Sequence, residues 1–92
     1  AAQVNSGAQQ MMEWAVKHEL LMVTGGDMFG PDVVRQADNI IWFNDKIAKN
    51  PHLSLKTATS NAAEVLTWSG GMNPYKDGTQ GTIAEGGYAD II

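Results

Sequence analysis

The sequence contains no cysteine, which excludes disulfides, thiolate metal sites and a cysteine nucleophile. It has no cluster of lysine and arginine, and its net charge is −4, which argues against nucleic acid or an anionic membrane as partner. No apolar run approaches the length of a membrane-spanning helix. The first residues, Ala1-Ala2-Gln3-Val4-Asn5, carry neither a charged nor an apolar leader pattern and no initiator methionine. The expectation is a soluble protein, cytoplasmic rather than secreted, whose reading frame extends upstream. No Gly-x-Ser-x-Gly elbow, phosphate loop, His-x-His or His-Glu-x-x-His is present.

What remains is an ordinary globular composition: 43% hydrophobic residues in a chain of 92, enough for one small domain. Most of the ten glycines fall at or beyond Gly70, so the last quarter reads as turn-rich. Ala8, Met11, Met12, Ala15 and Val16 fall on one helical face, predicting a helix over 7–19 with Ser6 as its cap. Val33, Val34, Ala37, Ile40, Ile41 and Ile47 predict a second helix over 31–48, opened by Gly30-Pro31 and stopped by Asn50-Pro51. Trp42 and Phe43 widen its stripe, as a face packed on two neighbours or on a partner would require. Leu53 to Leu66 keep the helical spacing but are interrupted at Thr59-Ser60-Asn61, predicting two short helices, 52–58 and 60–67, with Thr59 or Ser60 as cap.

Between the first two helices lies Leu20-Leu21-Met22-Val23-Thr24-Gly25-Gly26-Asp27. A short apolar run that ends on glycines reads as a buried strand over 20–24, and an acid just beyond it is a candidate metal ligand or general base. Read locally, Asp27 also suits a plain turn. Gly81 to Ala84 and Ala89 to Ile92 read as two short strands about the turn Glu85-Gly86-Gly87. Such a ribbon is marginal alone and implies sheet borrowed from elsewhere. His18 and His52 stand in different elements and read as solvent-facing groups. Trp14, Trp42 and Trp68 leave open a small-ligand site if their rings converge.

Three stretches in register resemble the C-terminal part of the metal-dependent amidohydrolases. They are the strand ending Thr24-Gly25-Gly26-Asp27; Ala58-Thr59-x-Asn61-x-Ala63-x-x-Leu66; and Gly81-x-Ile83-x-x-Gly86-x-x-Ala89-Asp90-Ile91-Ile92. Ser69-Gly70-Gly71-Met72-Asn73-Pro74-Tyr75 is most similar to the imidazolonepropionase and prolidase-like branch. The resemblance spans nearly the whole chain. It implies an α/β, mostly helical fold: the last strand of a (β/α)8 barrel and its following helices over 1–69, then a loop and β-ribbon of a small β-sandwich over 70–92. It also implies a hydrolase of amide or peptide-type C–N bonds, with Asp27 both catalytic and a ligand of a divalent metal, zinc by the family pattern. Thr59 and Asn61 are then a helix start rather than a catalytic pair. Gly26 departs from the pattern, standing where the family carries a hydroxyl beside the aspartate. The remaining metal ligands would be supplied from outside this sequence, so the chain alone is expected to hold no metal and to be inactive. The alternative is an oligomeric interaction or structural module derived from such an enzyme. The partners implied are the N-terminal part of the enzyme or further copies of the chain.

Overall fold

The computed structural model describes residues 2–92, except the side chain of Ala2. Four α-helices carry the fold: α1 (Ala2–Lys17), α2 (Ala37–Phe43), α3 (Pro51–Ala58) and α4 (Ser60–Thr67). A 3-10 segment, Gly30–Arg35, leads into α2, and a π-helical turn, Asn44–Ala48, prolongs it. The predicted 31–48 helix is therefore one continuous helical run with three different pitches. It ends where Lys49 turns left-handed (φ 48°) and its N–H reaches back to Asn44 O at 2.7 Å. Asn50 then caps α3 by accepting from the Leu53 N–H at 3.2 Å, and Pro51 occupies the first turn, where a missing N–H costs nothing. The break between α3 and α4 falls at Thr59, as the Thr-Ser-Asn interruption predicts. Helix α1 starts earlier than predicted, so Ser6 lies inside it rather than capping it.

The α/β reading is overturned. No strand and no sheet forms among the described residues, so the fold is neither a barrel segment nor a helical layer with a β-ribbon. A strand exists only where a neighbour completes its ladder. Residues 20–24 lie beside helices, with one main-chain bond across, Thr24 N–H to Thr57 O at 3.0 Å. In the predicted ribbon, Gly81–Ala84 and Ala89–Ile92 do not pair. The segment folds on itself through Gly87 N–H to Ala84 O and Tyr88 N–H to Thr79 O, with the Tyr75 and Tyr88 rings edge-to-face at 5.2 Å.

The interior is thin. Among the described residues Phe43 and Ile47 are the buried large apolar side chains, joined by the polar Ser54, Thr57, Asn61 and Asn73. The chain exposes 7262 Å², whereas a compact monomer of this mass exposes about 5,200 Å². Its radius of gyration is 14.9 Å, against about 12 Å for a compact domain of this length. Among the described residues no helix is long and apolar enough to cross a membrane.

Candidate functional site

Asp27 follows the apolar run 20–24 and its two glycines and precedes the Gly30–Arg35 segment. Its φ is 45°, a left-handed geometry that aspartate tolerates better than most residues. The carboxylate is exposed, at an open depression of about 490 Å³ lined by Asp27, Met28, Phe29, Asp32, Arg35 and Asp38. Arg35 is turned away from Asp27 toward Asp38, with Nε to Oδ2 at 2.9 Å, and both of those groups are largely exposed. A Cβ on Gly26 would stand 2.8 Å from Asn39 Nδ2, itself a buried donor with no partner among the described residues.

A divalent metal needs several converging ligands. Among the described residues, no three of His, Cys, Asp or Glu come together in that way. Asp32 and Asp38 share the depression with Asp27 without closing on a common point. His18 and His52 are exposed on separate elements. The residues present do not make a metal site, so a metal that Asp27 served would have to be held chiefly by other groups. Trp14 and Trp68 are largely exposed, and Trp42 is half exposed at a cleft of about 190 Å³ shared with Met12, Met22, Val23 and Thr57.

The arrangement that sequence reasoning missed is the polar junction beneath residues 20–24. Asn61, in the first turn of α4, donates from Nδ2 to the Met22 carbonyl at 3.0 Å. Thr57 donates its hydroxyl proton to Ser54 O at 2.7 Å, so the Thr24 hydroxyl is the donor in the bond between Thr24 and Thr57. Gly81 lies against the α3–α4 break with φ +74°, and a Cβ there would fall 2.5 Å from Thr59 O. These contacts join residues 20–24, the α3–α4 break and Gly81. No local signal identifies this junction, because the roles of Thr57 and Asn61 depend on where Met22 and Thr24 come to lie.

No protein-family model matches the chain, and neither a curated protein nor a solved structure matches it.

Proposed function

We propose that this chain contributes Asp27 to a metal-dependent amidohydrolase acting on amide or peptide-type C–N bonds, and that it is inactive by itself. The observation carrying this reading is the meeting of the three resembling stretches at the α3–α4 break, through Thr24 to Thr57, Asn61 to Met22 and Gly81 against Thr59. Residues far apart in sequence and alike in pattern to one family are held as one unit, with the carboxylate left free at its edge. A free carboxylate can take a proton from an attacking water and return it to a departing nitrogen. The zinc or other divalent ion that defines the family would be bound by ligands beyond those described here.

The test uses the polypeptide encoded by the full reading frame that contains these codons. It should carry a His-x-His motif on an apolar stretch ahead of Ala1 and hydrolyse a member of a panel of N-acyl amino acids, dipeptides and cyclic amides. Asp27→Asn should then lower kcat by about 100-fold or more, with folding unchanged. Retained turnover in Asp27→Asn removes Asp27 from the mechanism, and a frame without the histidines overturns the reading.

A second reading, an association module built from copies of this chain, is favoured by the surface. The exposed area exceeds that of a compact monomer by about 2,000 Å². A standard interface covers about 800 Å² per partner.

A further inference from the structure

We propose that the stretch Leu20–Gly26 is an unpaired strand edge and that a second copy of the chain pairs with it, antiparallel, about Val23. The inference rests on the association reading and names its contact. The stretch has the two-sided character of a strand without the ladder. Residue exposure alternates from Leu21 to Phe29: Met22, Thr24, Gly26 and Met28 are sheltered, while Leu21, Val23, Gly25, Asp27 and Phe29 are exposed. Its main chain alternates too. The Thr24 N–H and the Met22 carbonyl are taken by Thr57 and Asn61. In an extended chain the groups of intervening residues point the opposite way. The N–H and C=O groups of Leu21, Val23 and Gly25 have no partner among the described residues, and in the extended geometry that the alternation implies they face away from α3 and α4.

Unpaired main chain flanked by apolar side chains is a template for another strand. A second copy suits it because the stretch contains no charge, so self-pairing meets no like-charge penalty within it. Glu19 and Asp27, which bound it, have φ of 54° and 45° and turn the chain out of line at both ends. The middle of the stretch is Val23. Two-fold pairing there lets Val23 exchange both its bonds with Val23 of the other copy, and Leu21 exchange with Gly25. The surface excess of the whole chain, about 2,000 Å², exceeds the roughly 800 Å² that a standard interface takes from each partner.

Sedimentation of the full chain at micromolar concentration should find a dimer. Val23→Pro deletes one donor per copy at the centre and should weaken dimerisation by about 100-fold, two lost bonds and their stranded acceptors. Trp68→Lys, on an exposed position elsewhere, should leave it within about twofold. Because the chain has no cysteine, Val23→Cys gives a single reporter that needs no proline variant to fold. Opposed residues of an antiparallel pair lie about 5.5 Å apart between Cα atoms, inside the disulfide range, so oxidation should link the two copies. A Trp68→Cys control should not link. A monomeric wild-type chain overturns the association reading and this contact together. A dimer that survives Val23→Pro, or whose Val23→Cys form does not cross-link, overturns the contact alone.

Discussion

The α3–α4 junction and helix α1 are opposite ways of holding a backbone in place. At the junction, Ser54, Thr57 and Asn61 are buried, and the bonds from Asn61 to Met22 and from Thr24 to Thr57 span 39 and 33 residues of sequence. Helix α1 is twice as long as α3 or α4, yet none of its described side chains is fully buried. It leaves Met11 and Trp14 largely exposed and touches chiefly the Asn44–Ala48 turn. The junction is specified by tertiary contacts that exclude other side chains. The long helix is specified almost wholly by its own hydrogen bonds. Stability should be concentrated in the first and thin in the second, where local opening costs least.

The largest effect should come from Gly81→Ala. The new Cβ would meet the Thr59 carbonyl at 2.5 Å, on a backbone whose φ of +74° already disfavours an L side chain. Neither partner is a flexible side chain, so the junction must open. A loss of about 3 kcal/mol is expected in urea unfolding. A loss below about 1 kcal/mol would mean that residues 79–92 are not seated on the α3–α4 break.

Asn61→Ala should follow. It removes the donor to the Met22 carbonyl and leaves a sheltered acceptor unpaired, costing about 2 kcal/mol. The effect should appear as faster amide exchange along residues 20–27 and in α4, with α1 unchanged. Exchange that rises equally throughout would show that the junction and α1 unfold as one unit, and would dissolve the contrast between them.

Most of the helices were legible in the sequence because their signals are local: Asn50-Pro51 as cap and first turn, the three-residue break at Thr59, and the long apolar stripe of 31–48. The strands were not, because a strand is not a local object. Leu20 to Thr24 has the apolar run of a strand, and exposure alternates from Leu21 on, but the ladder needs a second main chain, and among the described residues its one long-range main-chain bond is to a helix. The same reasoning separates Asp27 from the junction. The acid could be picked out by its position after a glycine pair, whereas the roles of Asn61 and Thr57 depend on where Met22 and Thr24 come to lie, which spacing does not reveal. The surplus apolar residues around Trp42 and Phe43 were visible as a surplus. The structure buries Phe43 and leaves Trp42 half in solvent, so only part of that surplus is absorbed within the chain.

The smallest effect tests the other side of the comparison with the same chemical change. Gly7 lies within α1, and a Cβ there would meet nothing within 4 Å. Its φ is not in the left-handed region, so alanine costs no strain. It lowers the backbone entropy that the unfolded chain would otherwise regain. Gly7→Ala should therefore stabilise α1 by about 0.5–1 kcal/mol, read as slower amide exchange confined to that helix. One methyl group thus weakens the molecule at position 81 and strengthens it at position 7. The sign depends on whether the surroundings or the helix itself fixes the backbone. If Gly7→Ala instead weakens the chain, α1 is packed against something its exposure does not reveal. The dimer would then be the first place to look, since a second copy seated on the Leu20–Gly26 edge lies next to the end of that helix.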